Sequence, residues 1–125
     1  MAHYIGEKYG GGIVFYVNGE KGLIAAPADL GDFDWETALY KCKELNLDGY
    51  QDWYLPNQDE LDKLYQNIGP VAPAPNTNVG GFARNVYWSS SDFGNIGAWF
   101  QYFGGGSQVF GSKAKAARVR AVRAY

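Results

Sequence analysis

The sequence contains only one cysteine, Cys42, and only one histidine, His3. One thiol cannot form a disulfide within the chain, and it cannot build a zinc site that needs several thiolates. His3 cannot by itself anchor a catalytic dyad. With 125 residues the chain is long enough to bury a sizeable apolar core, so we expect it to fold without a metal and without a cofactor.

Long apolar runs are also missing from the sequence. None approaches the roughly 20 residues of a membrane-spanning helix, so we expect no membrane insertion. The residues that follow Met1 lack the basic and apolar regions of a secretory signal peptide. We expect a single domain over residues 1–125, either alone or as the C-terminal domain of a longer protein.

Acidic and basic side chains are unevenly distributed, although the net charge is only −2. Residues 1–62 hold twelve acidic and four basic side chains, whereas residues 63–125 hold one and seven. The division indicates either two solvated faces of opposite sign or a C-terminal surface that attracts anions. The negative total argues against a general nucleic-acid-binding protein, so we expect no nucleic-acid partner.

Two helices are predicted in the middle of the chain. The first covers residues 35–45, with Asp34 as its N-cap and with Cys42 on its buried face. The second begins after Asn57, which forms a capping box with Glu60, and it ends before residues 69–70. Strands are predicted at residues 13–17, 23–26, 86–90, 98–103, 108–110 and 118–122. The fold class is therefore α+β, with two helices packed on an antiparallel sheet that is built from both chain ends.

Residues that could carry catalysis have structural explanations. Asp29, Asp32 and Asp34 precede the first helix, where helix N-termini favour negative charge. They lack the loop spacing of a calcium site. The serines at 89–91 have no accompanying base and no glycine-flanked nucleophile elbow. We expect that the protein is not an enzyme.

The segment 92–112 is unusually rich in aromatic residues and glycine. Strand alternation places Trp99, Gln101 and Phe103 on one face, and Phe100 and Tyr102 on the other. Aromatic side chains among Gly, Ser and Asn are typical of adaptable binding surfaces. The segment is either such a surface or a strand that is buried on both faces.

A series of short motifs in a fixed order identifies a family. They are residues 35–38 with Cys42, 49–56, 60–61, 64–65, 87–91, 98–99, Phe103, Gly106 and 119–123. Over residues 33–124 the chain resembles the Lcl C-terminal domain family, found at the ends of bacterial collagen-like adhesins and in many surface or phage proteins. The resemblance implies a fold similar to that of C-type lectins. Ala121 departs from it, because family members often carry a cysteine there.

A narrower resemblance is to the variable proteins of diversity-generating retroelements. Those proteins share a frame that matches residues 87–90, 98–99, Phe103, Gly106, Lys113 and 119–123. The resemblance implies that the positions between the frame residues vary and bind the ligand, and all of them are reachable from an Asn codon by adenine substitution. They are Phe93, Gly94, Asn95, Ile96, Phe100, Tyr102, Gly104, Ser107, Val109, Phe110, Gly111, Ser112 and Ala114.

These features predict a non-catalytic domain that binds a protein or glycan ligand on another cell or surface. Trp88 and Trp99 would anchor its core, and the domain would sit on a virion or a cell surface, as a homo-oligomer if it follows its relatives. An alternative is a fixed glycan-binding adhesin that uses the basic C-terminal strand, through Lys113, Lys115, Arg118, Arg120 and Arg123. A third hypothesis is an enzyme, because the lectin-like fold also occurs in formylglycine-generating enzymes. Their cysteine chemistry is not provided by a single thiol on a helix.

Overall fold

The structure is a computed structural model, and it describes residues 2–125. The helices are α1 (Trp35–Lys43) and α2 (Gln58–Asn67). The strands are β1 (Lys8–Tyr9), β2 (Gly12–Asn18), β3 (Lys21–Ala25), β4 (Gly31–Phe33), β5 (Val86–Phe93), β6 (Gly97–Tyr102), β7 (Gln108–Ser112), β8 (Ala117–Val119) and β9 (Val122–Ala124). The α+β class and the two helices are confirmed.

The strands form two sheets, whereas the sequence pattern predicted one. A four-stranded antiparallel sheet has the order β1-β2-β3-β9, and it joins both ends of the chain as expected. A five-stranded sheet has the order β4-β8-β5-β6-β7. This second sheet is mixed, because β5 and β8 run parallel where Tyr87 lies opposite Arg118.

The C-terminal strand predicted over residues 118–122 is wrong as a single element. The chain forms β8 in the five-stranded sheet, leaves it at Arg120 and Ala121, and then forms β9 in the four-stranded sheet. Both connecting residues are buried. The residues from 117 to 124 therefore join the two sheets.

Both predicted helix N-termini are confirmed. The carboxylate of Asp34 accepts the Thr37 N–H at 2.9 Å. The side chain of Asn57 accepts the Glu60 N–H at 2.8 Å, and Glu60 accepts the Asn57 N–H at 2.9 Å, which completes a capping box. Each contact satisfies an amide that the helix itself leaves without a partner.

Two apolar clusters lie on opposite faces of the five-stranded sheet. One contains α1 residues together with Trp53, Trp88, Ala98 and Ala121. The other contains α2 residues together with Phe15, Tyr87 and Phe103. Because Trp88 and Tyr87 are successive residues of β5, their side chains point to opposite faces and each enters its own cluster. No helix among residues 2–125 has the length and apolarity needed to cross a membrane.

Candidate functional site

The predicted ligand-binding residues lie along the outer part of the β5–β6–β7 sheet and in its turns. Ten of the thirteen are exposed: Phe93, Gly94, Asn95, Ile96, Tyr102, Ser107, Val109, Phe110, Ser112 and Ala114. The other three, Phe100, Gly104 and Gly111, are half-buried. None of the thirteen belongs to the buried core.

An aromatic cluster formed by Phe93, Trp99 and Phe110 occupies one face of this region. The rings of Phe93 and Phe110 stack with centroids 3.9 Å apart, and Trp99 meets each of them edge-on at 5.5 Å. Trp99 and Phe110 are directly opposite each other in the β6–β7 register, which places both rings on the same face. Phe93 and Phe110 nevertheless remain 44% and 53% exposed.

A cavity of about 360 Å³ adjoins the aromatic cluster. It is lined by the β5–β6 turn and the end of β7: Phe93, Gly94, Asn95, Ile96, Gly97, Phe110, Gly111 and Ser112. Ile96 lies at its rim and is 80% exposed, although its side chain is apolar. The size falls at the lower end of the range for sites that hold small ligands or a single side chain.

The opposite face of the same sheet carries Phe100, Tyr102 and Val109. Phe100 packs edge-on against Trp88 of the core, with ring centroids 5.6 Å apart, and Val109 lies opposite it on β7. Tyr102 is 44% exposed, and its ring lies over Gly104. The thirteen residues therefore form two patches, one on each face of the sheet edge, rather than one continuous surface.

Exposure in this sheet depends on distance from its edge and not on which face is considered. Near β5 both faces are covered, since Tyr87 and Trp88 are each fully buried. Near β7 both faces are open, as Val109 and Phe110 show. The two alternatives left open by the sequence, a contact surface and a strand buried on both faces, thus apply to different strands of the same sheet.

The frame residues predicted to build the core mostly do so. Buried members are Tyr87, Trp88, Ser89, Ala98, Phe103, Val119, Arg120, Ala121, Val122 and Arg123. The prediction for Trp99 as a core anchor is wrong, because Trp99 is only half-buried and packs in the aromatic cluster. Sequence reasoning left Trp99 out of the candidate surface, and the pairing with Phe110 that places it there is not visible before the strand register is known.

Hydrogen bonds to α2 fix the part of β6 and β7 that lies beside the aromatic cluster. The buried Gln101 amide donates to Asp62 at 2.9 Å and to the Gly106 carbonyl at 3.2 Å. The Gln108 amide donates to the Gln58 carbonyl at 2.9 Å. These contacts hold β6 and β7 against the start of α2, so the aromatic cluster lies beside a rigid part of the molecule.

The basic C-terminal residues are engaged within the chain, which corrects the prediction of an anion-binding strand. Arg120 is 1% exposed and pairs with Asp29 at 2.9 Å, and Arg123 is 8% exposed and pairs with Asp52 at 2.7 Å. The remaining pairs are Arg118 with Asp29 and Asp32, and Lys113 with Asp92. Of the five predicted glycan-binding residues, only Lys115 is exposed and has no ion pair in the part of the chain that the structure describes.

Asp29 is the centre of a polar network that joins distant parts of the chain. It accepts hydrogen bonds from Arg118 at 3.2 Å, from Arg120 at 2.9 Å and from the Tyr87 hydroxyl at 2.8 Å. Arg120 also donates to the carbonyls of Ala26 and Gly80. Burial, together with the hydrogen bond to Asp29, raises the pKa of Tyr87 to about 12, so its hydroxyl remains a donor at neutral pH.

The side chains considered for catalysis are buried or hydrogen-bonded within the chain. The Cys42 thiol is fully buried, and burial raises its pKa to about 12. Ser89 donates its hydroxyl hydrogen to the Trp99 carbonyl at 2.7 Å, and Ser91 accepts the Gln58 N–H at 2.9 Å. Within residues 2–125 no three His, Cys, Asp or Glu side chains are placed to hold a metal ion.

Comparison with known families agrees with the family that the order of the motifs indicated. The profile described as the Lcl C-terminal domain matches residues 18–123, which is most of the chain. The chain belongs to the Lcl C-terminal domain family. The match also takes in β3 and the start of β4, which precede the region recognised from the motifs. No curated protein matches the chain.

Within this Lcl C-terminal domain, Ala121 and Cys42 belong to the same buried cluster and each is fully buried. The small methyl group of Ala121 therefore occupies a core position, and Cys42 is a free thiol. With alanine at position 121, Cys42 and Ala121 contribute to apolar packing and form no covalent link.

Proposed function

We propose that this Lcl C-terminal domain is a non-catalytic ligand-binding domain with a C-type-lectin-like fold, of the type found in variable proteins of diversity-generating retroelements. Its target is a protein or glycan on another cell or surface, and the domain is carried on a virion or a cell surface. The ligand is bound by the thirteen surface residues from Phe93 to Ala114. Family membership supports the coarser part of this proposal, a binding-type domain.

One observation carries the finer part. The positions expected to vary are all exposed or half-buried, whereas ten of the fourteen frame positions are buried. A substitution at an exposed position changes stability by about 0.5 kcal/mol or less in most cases. A scaffold with this division tolerates many sequences at the surface while its core stays constant.

The aromatic cluster supplies the contact energy in this proposal. Phe93 and Phe110 are held by stacking against each other and against Trp99 before any ligand arrives. Aromatic side chains that are ordered in advance lose little conformational entropy on binding. They also dominate the energetics of most protein interfaces.

The absence of catalysis is supported by the state of the single thiol. A raised pKa leaves Cys42 protonated at neutral pH, and a protonated, fully buried thiol is a poor nucleophile. Rapid alkylation of Cys42 by iodoacetamide in the folded chain at neutral pH would contradict this part of the proposal.

The proposal is tested first in the DNA that surrounds the gene. We expect a reverse transcriptase gene and a nearly identical repeat of the codons for residues 87–123, differing from the gene only where the repeat has adenine. The differing codons should fall on the thirteen surface residues and spare the frame. A locus without such a repeat, or a repeat that differs at frame codons such as those of Tyr87 and Trp88, would overturn diversification and leave a fixed binding domain.

A further inference from the structure

The four sheet edges of this domain are protected to different extents. An exposed edge offers free N–H and C=O groups to other chains, and proteins usually protect it with shortness, charge or a covering segment. β1 has two residues including Lys8, and β4 has three including Asp32. β9 contains Arg123, and its Val122 exchanges backbone hydrogen bonds with Tyr54. Each of these three edges is protected.

The fourth edge, β7, has none of these protections. It has five residues, Gln108–Ser112, with no charged residue and no proline. The whole stretch from residue 93 to residue 112 contains no charged side chain, although one residue in five is charged in the chain as a whole. β7 is the last strand in the order of its sheet, so no described strand pairs with its outer side.

Backbone geometry shows which groups β7 presents outward. Tyr102 donates to Ser107 at 2.9 Å and Lys113 donates to Ile96 at 2.7 Å, and both bonds follow the β6–β7 register. Because the direction of N–H and C=O alternates along a strand, Val109 and Gly111 point toward β6. Gln108, Phe110 and Ser112 therefore point their backbone groups away from the sheet, although the Ser112 carbonyl accepts the Lys115 N–H.

We propose that a partner protein binds here by adding an extended peptide segment to β7, as a sixth strand of the five-stranded sheet. The proposal rests on the proposed function, and it names both the partner class and the mode of binding. The outward N–H and C=O of Phe110 would hold the peptide backbone, with those of Gln108 and the Ser112 N–H on either side. An apolar peptide side chain would enter the cavity beside Phe93 and Ile96.

The absence of charge argues against an acidic ligand at this edge. Recognition of a sulfated or carboxylated glycan needs free cations. Residues 93–112 contain none, and the exposed Lys115 lies over the Phe100 ring, on the face opposite the aromatic cluster. An uncharged edge with unpaired backbone groups and adjoining aromatic rings matches the backbone and alternating apolar side chains of an extended peptide.

A second copy of the chain fits this edge less well. In the antiparallel register that uses all three outward residues, Phe110 would pair with its own copy and Gln108 would lie opposite Ser112. The Gln108 side chain is already bonded to Gln58 and lies within 3.3 Å of the Gln101 oxygen. It could not enter the apolar cavity, which a partner peptide is free to fill.

The test uses the full chain as bait. A library of random linear peptides displayed on phage is selected against it, and the tightest peptide is synthesised as the probe. NMR should show new protection from hydrogen exchange at the amides of Gln108, Phe110 and Ser112, with Val109 and Gly111 protected before and after. Protection confined to other strands, or failure to select any peptide, would overturn the proposal.

Blocking single N–H groups of the probe peptide distinguishes binding through backbone hydrogen bonds from binding through side-chain contacts. Two versions of the probe carry N-methyl groups on alternate residues, one version on each edge of the strand. We expect one version to lose affinity at least about tenfold and the other to stay within about twofold. Equal losses for both versions would overturn strand addition.

Variants of the chain give the matching control. Ser112→Pro removes an outward N–H that takes no part in the β6 ladder, and it should weaken the probe about tenfold or more. Ser112→Ala removes only the hydroxyl and should stay within about twofold. If Ser112→Pro lowers the melting temperature, Phe110→Pro compared with Phe110→Ala replaces it. A proline that leaves affinity unchanged in a folded variant would overturn the proposal.

Two further outcomes are distinguishable. Concentration-dependent dimerisation through β7, seen by analytical ultracentrifugation and abolished by Ser112→Pro, would assign the edge to a second copy and overturn the proposal. A template repeat in the gene without peptide binding would support the proposed function and overturn strand addition. Peptide binding at β7 without a template repeat would support strand addition and overturn diversification.

Discussion

Phe93 and Phe110 are ordered by each other rather than by the core. Their rings stack at 3.9 Å while about half of each side chain stays in solvent. Such a pair contributes about 0.5–1.5 kcal/mol beyond area burial. These rings can therefore be exchanged at small cost, whereas Trp88, fully buried a few residues earlier on β5, cannot.

This difference predicts the outcome of alanine substitutions. Phe93→Ala or Phe110→Ala should lower the free energy of unfolding by about 1 kcal/mol, because each removes one exposed stacking partner. Trp88→Ala should lower it by about 3–5 kcal/mol, because it opens a cavity in the core. Urea denaturation followed by circular dichroism measures all three. A loss at Phe110 as large as that at Trp88 would show that the cluster is part of the core.

Residue roles were predictable where they depend on local pattern and not where they depend on distant partners. The exposure of Phe93, Ile96 and Phe110 followed from an uncharged aromatic segment beside turns. The burial of Arg120 and Arg123 did not, because their carboxylate partners lie 91 and 71 residues away in the sequence. From sequence alone, a basic side chain in a predicted strand is expected to be solvated, because a carboxylate partner far away in the chain cannot be identified.

The helices were predictable for the same reason. The capping box of α2 involves residues three apart, so the sequence contains the whole interaction. The split between β8 and β9 was not predicted, because it depends on strand partners far away in the chain. The only local sign of it is the break in the alternation of basic and apolar residues at Ala121 and Val122. The mixed pairing of β5 with β8 likewise depends on contacts between segments far apart in the chain.

The N-cap residue of α2, Asn57, is expected to stabilise the whole chain. Asn57→Ala should lower the free energy of unfolding by about 1 kcal/mol, because the Glu60 N–H loses its acceptor. Asn57→Ser keeps an acceptor in the same place and should lose only a few tenths of a kcal/mol. Thermal and urea unfolding of both variants provide the comparison. Equal losses would mean that the amide of Asn57 is not what stabilises the start of α2.

Across the whole molecule, Asp29 adds side-chain contacts between segments that the five-stranded sheet already pairs. It lies between Arg118 and Arg120 of the C-terminal region and the Tyr87 hydroxyl of β5. Arg120 in turn reaches the carbonyls of Ala26 and Gly80. This network joins the acidic first half of the chain to the basic second half, together with the pairing of β3 with β9 and of β4 with β8.

The network predicts a large effect for a conservative change. Asp29→Asn should lower the free energy of unfolding by roughly 3–5 kcal/mol, because it leaves the buried guanidinium of Arg120 without a counter-charge. Asp32→Asn is the control, since Asp32 pairs with Arg118 while its side chain is 56% exposed, and it should cost about 1 kcal/mol or less. Chemical denaturation measures both. Similar losses for the two variants would mean that burial does not set the strength of this network.

The passage of the chain from β8 to β9 has a consequence for the timing of synthesis. β8 is the strand between β4 and β5, and β9 completes the other sheet beside β3. While a ribosome is still adding residues 117–124, the four-stranded sheet lacks its edge strand β9, and β4 has no strand partner. Sheets that depend on pairings this distant form late. A nascent chain should therefore stay open to proteases and chaperones until this segment has left the exit tunnel, and then fold both sheets together.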